Sequence, residues 1–401
     1  MFQWIYERRS TLDMRMKRSL QLMHDHENRS ALYHCVFRTV WREFLFQKEE
    51  KEYLSGLIRQ YEIYCGVRVL TYCVMSNHFH ILVEVPPKSE AESVADWHDE
   101  AFLNKLSEIY SDVHVADVRR LIEAARVTNC KDRESLEKIE QIVRGIKLRY
   151  TKRMGDLSEF IKAIKQKFTL WYNKRKGLQG TLWEGRFKSQ LVEDGEAALA
   201  VAAYIDLNPV RAGIVDDPKD YRWCGYGEAI AGQKQAQRGL LRVMQKKEAD
   251  IVNSTLSTLW KEVMNRYRMT LAVEGVSSVK ASQSDASNAS DKASSIPVQG
   301  ERKSKQYKKR HGFSRDEIEK VLAEGGKLSL QQMLRCKVRY FTDGVVIGSK
   351  AYVNEYYQKL KSRAQSEEDY EHQYEKRETG ARKLRGTSLE NLHTMRDLRK
   401  N

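Results

Sequence analysis

The sequence lacks any Cys-x-x-Cys pair among its six cysteines, so a zinc ribbon or a disulfide framework is not expected. Reduced thiols of a cytoplasmic protein fit this usage better. No run approaches the roughly 20 continuous apolar residues of a membrane span. The first residues carry scattered charges instead of the apolar core of a signal peptide. We therefore expect a cytoplasmic chain with no membrane partner.

Acidic residues are too few to balance the basic ones. Lys and Arg total 70 against 55 Asp and Glu, which leaves a formal charge of +15 over 401 residues. Such an excess favours a polyanionic partner, with nucleic acid first and an anionic membrane surface second. A solvated basic surface without a partner remains open. The length suits two or three structural units.

Proline is scarce, with five in the chain, and periodic patterns are correspondingly clear. If the segment 88–155 is left out, the patterns follow the order strand, helix, strand, strand, helix, strand, helix. This order predicts an α+β fold of the ferredoxin-like split βαβ type, an antiparallel sheet with helices on one face, followed by one extra helix. The strands are predicted in "ALYHCVFRTV", "VRVLTYCVM", "HFHILVEV" and "RFKSQLVED".

Changes in composition suggest seven segments. They are a basic N-terminal extension (1–30), a core in two parts (31–87 and 156–232), a helical insertion (88–155), a polar helical segment (233–275), a Ser/Ala-rich flexible linker (276–300), a small basic accessory unit (301–362) and a charged tail (363–401). The accessory unit is expected to bind DNA, for example as a helix-turn-helix, and a plain charged tail is the alternative.

Two histidines stand out in the third predicted strand. Because a strand alternates its faces, His78 and His80 point the same way, while Phe79 and Ile81 point into a core. Two imidazoles side by side on one strand are suited to hold a divalent metal. Most isolated His-x-His pairs are accidental, so this pair alone does not define a site.

A tyrosine and an asparagine share one face of the last core helix. Tyr204 and Asn208 are four residues apart, and Pro209 ends the helix. A tyrosine beside a metal can attack a phosphodiester and form a phosphotyrosine. The alternative is a half-buried aromatic residue and a helix-ending asparagine.

The combination of "HFH", "GTLWEGRFKSQLVED" and "YIDLNPVRAG" resembles the REP-associated tyrosine transposases. These belong to the single-tyrosine transposases of the HUH endonuclease superfamily. The resemblance implies a metal-dependent enzyme that cleaves and rejoins single-stranded DNA, at hairpin-forming repeats, in the nucleoid. It implies that Tyr204 is the nucleophile, and that His78, His80 and Asn208 bind Mg²⁺ or Mn²⁺.

Four further residues are candidates for DNA contact. In "LWEGRF", Trp183 is a candidate for stacking on a base and Arg186 for meeting a phosphate. Lys174 and Arg175, in "YNKRKG", form a basic patch beside a tyrosine. For Trp183 a place in the core is an equal alternative, and for Arg186 a solvated strand position is. For Lys174 and Arg175 phosphate contact is favoured, and a solvated helix end is the alternative.

Three rival functions stay open. A non-cutting DNA-binding protein of the same fold is one, and a rolling-circle nickase of the HUH type is another. An RNA-binding protein of the RRM type shares the split βαβ topology, but no RNP1-like run of aromatic residues is present. The sequence leaves the oligomeric state, monomer or homodimer, undetermined.

Overall fold

The computed structural model describes residues 29–87, 93–127, 133–245, 256–272, 341–342, 344–365 and 393–394. The predicted linker, nearly all of the N-terminal extension and most of the accessory unit and charged tail lie outside these residues. Eleven helices are named here in chain order: α1 Lys48–Cys65, α2 Asp99–Ser107, α3 Asp112–Arg126, α4 Arg133–Thr151, α5 Leu157–Lys176, α6 Glu196–Asp206, α7 Asn208–Arg211, α8 Gly225–Ile230, α9 Lys234–Val243, α10 Leu256–Ala272 and α11 Lys350–Gln365. The strands are β1 Ala31–Arg38, β2 Arg68–Val74, β3 His78–Val85, β4 Lys188–Val192, β5 Val346–Gly348 and β6 His393–Thr394.

The sheet has the order β2-β3-β1-β4-β5-β6. β1 lies antiparallel to both β3 and β4, with Arg38 opposite His78 and Val36 opposite Lys188. β2 is antiparallel to β3. The first four strands therefore have the split βαβ arrangement, and the predicted fold class is confirmed.

The two long core helices begin and end at recognisable capping residues. A capping box between Gln47 and Glu50 starts α1, and Gly66 ends it in the left-handed conformation (φ 65°). At α5 the Asp156 side chain accepts a hydrogen bond from the Glu159 N–H, and Gly177 (φ 64°) ends the helix. Both C-terminal glycines favour this conformation because they have no Cβ.

Helices cover both faces of the sheet, whereas the sequence predicted helices on one face. α1 and α5 pack on the face that carries Tyr33, Phe37 and Phe79, and residues of the insertion helices α2–α4 join that cluster. The opposite face, with Leu32 and Leu82, is covered by α6, α8, α9 and α10. The sequence of α6 did not predict a second layer of helices over this face. Its run of alanines is apolar on every side, so no single buried face could be identified.

Part of the predicted accessory unit and of the charged tail joins the core sheet, which corrects the prediction of a separate C-terminal unit. β5 pairs in parallel with β4, and β6 pairs with β5. Val346 and Ile347 are fully buried in this position. The Glu193 carboxylate, just after β4, accepts a hydrogen bond from the Ser349 hydroxyl (3.0 Å). The apolar triplet "VIG" is too short for its partner strand to be identified across the intervening linker.

In the part of the chain that the structure describes, no helix is long and apolar enough to cross a membrane.

Candidate active site

His78 and His80 lie at the start of β3, on the face covered by α6. Their ring centroids are 5.1 Å apart, and the rings are roughly perpendicular. His80 is only 3% exposed. The predicted same-face pair is therefore present, at the end of the sheet where β1 ends and β3 begins.

The Asn77 amide fixes the orientation of His78. Its Oδ1 lies 2.7 Å from His78 Nδ1, and its Nδ2 donates to the Arg42 carbonyl (3.0 Å). Since Nδ2 is the donor to Arg42, Oδ1 accepts, and His78 Nδ1 carries the proton. The lone pair of His78 is then on Nε2, where it can meet a metal.

His80 is oriented by a buried histidine of β1 that sequence reasoning missed. His34 Nε2 lies 3.0 Å from His80 Nδ1. On its other side, His34 Nδ1 lies 3.3 Å from the Gln190 side-chain amide. His34 is fully buried, and its ring stacks on His80 with centroids 5.3 Å apart. The histidine in "YHCVF" was the available signal, but the strand register that places it beside His80 is not visible in the sequence.

All three imidazoles are held neutral. Burial lowers the pKa of His34 to about 4. Burial, with the positive charges of Arg38 and Arg211, lowers the pKa of His78 to about 4. Burial and the neighbouring histidines also hold the pKa of His80 well below its ordinary value. A neutral imidazole is the form that binds a metal, so the site is suited to metal binding at pH 7.

Tyr204, near the end of α6, faces His80. The edge of one ring meets the face of the other, with centroids 5.6 Å apart. The Arg211 guanidinium lies over the tyrosine ring, 4.2 Å from its centroid. The Phe341 ring stacks on it at 4.7 Å, and Tyr204 is only 1% exposed. Sequence reasoning found Tyr204 but missed Arg211, which was visible in "YIDLNPVRAG", and Phe341.

Asn208 is the first residue of α7, two residues after the end of α6, the helix that carries Tyr204. Pro209 has no N–H, so the Ile205 carbonyl lacks its usual helical donor. Asn208 Nδ2 supplies it (3.1 Å) and also donates to the Tyr204 carbonyl (3.2 Å). This orientation leaves Asn208 Oδ1 as the atom for other contacts.

These residues fit a divalent metal by their chemistry. The donors would be an imidazole nitrogen from each of His78 and His80 and the amide oxygen of Asn208. This mixed set suits Mn²⁺ better than Mg²⁺, which prefers oxygen. The described residues contain no group of three or more His, Cys, Asp or Glu that could hold a metal, so a protein site here depends on the asparagine.

Trp183 lies in the core, which corrects its assignment as a base-stacking residue. It is 5% exposed, and its ring packs against Phe46, Phe79 and Phe168 with centroids 5.7–5.8 Å apart. Its Nε1 donates to the Thr169 hydroxyl (2.9 Å). A base cannot reach the face of this ring without displacing the core.

The three basic candidates are exposed at the same end of the sheet as His78. Arg186 lies just before β4, and Lys174 and Arg175 lie in the last turn of α5. The Arg175 guanidinium is 2.7 Å from the carboxylate of Glu49 at the start of α1. Arg175 is therefore partly neutralised by Glu49. All three residues remain candidates for phosphate contact.

Comparisons with known proteins match part of the chain that carries this site. Residues 28–116 match the model of the family described as "Transposase IS200 like". Over 68 residues the chain is 29% identical to the transposase for insertion sequence element IS200 of Salmonella typhimurium (strain LT2), and equally to that of Salmonella typhi. That alignment spans 17% of this chain and 45% of each relative, so the chain spans less than half the length of the curated relatives it matches.

One solved structure is also similar. It is titled "Structure of the REP associates tyrosine transposase bound to a REP hairpin", with 13% identity and a TM-score of 0.31, over 51% of this chain and 81% of that one. The family match contains His78 and His80 but ends before Tyr204. Over residues 28–116 the match to the IS200-like transposase model agrees with the resemblance read from the sequence.

Proposed function

We propose that the chain is a metal-dependent endonuclease and strand transferase that acts on single-stranded DNA through a 5′-phosphotyrosine. The observation that carries the proposal is the contact between Tyr204 and His80, with ring centroids 5.6 Å apart. This contact places the proposed nucleophile, on α6, beside the predicted metal-binding strand β3, although the two elements are distant in sequence. The charge of +15 and the transposase match over residues 28–116 support a DNA substrate.

In the proposed reaction the Tyr204 hydroxyl oxygen attacks the scissile phosphorus. The bond from phosphorus to the 3′ oxygen breaks as the tyrosine ester forms. The phenol loses its proton, and the departing 3′ oxygen takes one up to become a hydroxyl. Attack by another 3′ hydroxyl on the ester reverses these steps, rejoins DNA and restores Tyr204, so no external energy source is needed.

His78, His80 and Asn208 would hold the metal, which when bound polarises the scissile phosphate and offsets its developing charge. Arg211 lies over the Tyr204 ring and adds a positive charge next to the reacting group. The proposed target, a hairpin-forming repeat, rests on the resemblance of "YIDLNPVRAG" to the REP-associated transposases.

The test of the nucleophile uses end-labelled hairpin DNA with single-stranded flanks, in Mn²⁺. The unaltered chain should give a protein–DNA band that resists SDS, and Tyr204→Phe should abolish it while DNA binding persists. Tyr226→Phe is the matched control, because the Tyr226 hydroxyl is equally buried and has no hydrogen-bond partner among the described residues. An undiminished band from Tyr204→Phe would assign the nucleophile elsewhere.

The test of the metal compares chemistry with stability. EDTA should abolish cleavage and leave the melting temperature nearly unchanged, because the apolar face of β3 holds the sheet together without metal. His78→Ala should behave in the same way. Cleavage at full rate in EDTA would remove metal from the mechanism, and a large fall in melting temperature would assign the metal a structural role.

A non-cutting DNA-binding protein is the second candidate. It is favoured by the burial of Tyr204 beneath Phe341, which leaves the ring 1% exposed. The nuclease requires that the Phe341 segment move aside when DNA binds. A chain that binds the hairpin but forms no covalent band, even with Phe341→Ala, would support the second candidate.

A further inference from the structure

Two large aromatic side chains lie exposed in the loop 40–45 between β1 and α1, which we name the aromatic loop. Trp41 is 85% exposed and Phe44 is 57% exposed. Trp41 is the most exposed large apolar side chain among the described residues. Aromatic side chains with such a large exposed fraction indicate a surface that binds a partner.

The backbone of the aromatic loop is held in an unfavourable conformation. Trp41 (φ 55°) and Arg42 (φ 58°) are consecutive residues with positive φ, a region that side chains with a Cβ rarely adopt. Such conformations persist only where the surroundings enforce them, and they concentrate at functional sites.

Hydrogen bonds to two neighbouring segments enforce this conformation. Asn77 Nδ2 donates to the Arg42 carbonyl (3.0 Å), and Phe46 N donates to the Ser76 carbonyl (2.9 Å). On the other side, Val40 N donates to the Leu182 carbonyl (2.8 Å). The loop is thus tied to the residues before β3 and to those before β4, and it presents Trp41 from a fixed backbone.

The aromatic loop is coupled directly to the candidate active site. The Asn77 amide that holds the Arg42 carbonyl also contacts His78 Nδ1 at 2.7 Å. Arg38, the last residue of β1, lies opposite His78 in the sheet. Arg42 is itself exposed beside Trp41. Exposed aromatic rings interleaved with arginines are the pattern of surfaces that bind single-stranded nucleic acid.

We propose that Trp41, assisted by Phe44, is a stacking platform for an unpaired base of the strand that enters the active site. The proposal rests on the function proposed above and names a binding position for its substrate. A base next to the scissile phosphate would stack on the indole, while Arg42 meets the adjoining backbone. Stacking accepts any base, so this contact positions the strand and does not select its sequence.

Binding is measured with the full chain carrying Tyr204→Phe, so that cleavage does not interfere. Fluorescence anisotropy of a hairpin with single-stranded flanks should show about tenfold weaker affinity for Trp41→Ala and nearly full affinity for Trp41→Phe. Phe44→Ala should have a smaller effect in the same direction. Trp97→Ala is the matched control, since Trp97 is 40% exposed and lies in the insertion.

Two further measurements separate stacking from other roles. The slope of log K against log salt should not change in Trp41→Ala, because no phosphate contact is lost. 2-Aminopurine, placed at each flanking position in turn, should be quenched at one position by the parent chain and by Trp41→Phe. The same position should stay unquenched in Trp41→Ala. The melting temperature should stay the same, because Trp41 makes little contact with the core.

Equal affinity of Trp41→Ala and its parent would overturn the proposal. If Trp41→Ala instead changed the sedimentation of the chain and left DNA affinity unaltered, the loop would be a contact between two copies, and the proposal would also fail. Cleavage is scored separately in the chain with Tyr204 intact. If Trp41→Ala weakens binding while the chain with Tyr204 intact forms no covalent band, the stacking proposal would stand and the proposed nuclease activity would be wrong.

Discussion

His34 Nε2 lies 3.0 Å from His80 Nδ1, and the Gln190 amide lies on the far side of His34. One buried chain of side chains thus runs across β4, β1 and β3 to a residue of the candidate metal site. When His80 Nδ1 donates its proton to His34 Nε2, the lone pair of His80 lies on Nε2, where a metal can bind it. His34 is a positioning residue, and partners of this kind orient metal-binding histidines.

Replacing His34 should therefore weaken metal binding more than it weakens the fold. We expect His34→Ala to lower Mn²⁺ affinity by about 10- to 100-fold, and His34→Asn to recover part of the loss. Calorimetric titration with Mn²⁺ measures this directly. The control is His114→Ala, in the insertion, where the histidine contacts Tyr150 (3.2 Å). Unchanged Mn²⁺ affinity in both His34 variants would show that His34 serves packing alone.

The parts of the fold that sequence predicted are those fixed by local patterns. Alternation along β3 placed His78 and His80 on one face. Pro209 was expected to end the helix that carries Tyr204, but that helix ends at Asp206 and Pro209 lies in the first turn of α7. The unpredicted parts depend on pairing between distant strands. The register of β1 against β3 brings His34 to His80. The parallel pairing of β5 with β4 holds the segment that follows Phe341 in the chain. No local pattern encodes either pairing.

Trp183 and Trp41 show the limit of assigning roles by residue type. Both tryptophans lie close to an arginine in the sequence. The prediction of base stacking was made for Trp183, which lies within a family-like motif. The structure buries Trp183 among three phenylalanines and exposes Trp41. Burial of a particular tryptophan follows from three-dimensional packing, which the motif does not contain.

Phe341 should restrain Tyr204, the proposed nucleophile. Its ring stacks on Tyr204 with centroids 4.7 Å apart, and a phosphate cannot approach while the site stays covered. We expect Phe341→Ala to raise the single-turnover rate of covalent adduct formation severalfold. Phe102→Ala, which removes an equally buried ring from the insertion, should not. An increase in both variants would indicate general loosening, and a decrease in Phe341→Ala would show that the ring supports the active conformation.

Asp206 anchors α6, the helix that carries Tyr204, from beneath. Its buried carboxylate accepts hydrogen bonds from Thr71 (2.7 Å) and Tyr267 (2.6 Å), and burial raises its pKa to about 7. Asp206→Ala leaves both hydroxyls without this partner and should lower the free energy of unfolding by about 3 kcal/mol. Asp206→Asn resembles the protonated carboxyl and should cost much less. Urea denaturation checks this, and equal losses in the two variants would contradict it.

Trp183→Phe should affect stability and leave DNA binding alone. The change removes the hydrogen bond to Thr169 and part of a buried ring, so we expect a loss of about 1 to 2 kcal/mol in the free energy of unfolding. Affinity for single-stranded DNA should stay within about twofold of the parent, in contrast to Trp41→Ala. A weaker affinity in Trp183→Phe than in Trp41→Ala would reverse the roles given to the two residues.

The basic end of α5 should contribute phosphate contacts unequally. The Arg175 guanidinium is paired with Glu49, 2.7 Å away, whereas Lys174 is exposed in the last helical turn and makes no ion pair within the described residues. We expect Lys174→Ala to reduce the slope of log K against log salt by about 0.7, the value for one phosphate on a single strand. Arg175→Ala should reduce it less, because breaking its pair with Glu49 offsets part of the change. Lys138→Ala, which removes a paired lysine from the insertion, is the control. A salt slope that is the same for Lys174→Ala and the control would place the DNA path away from this end of α5.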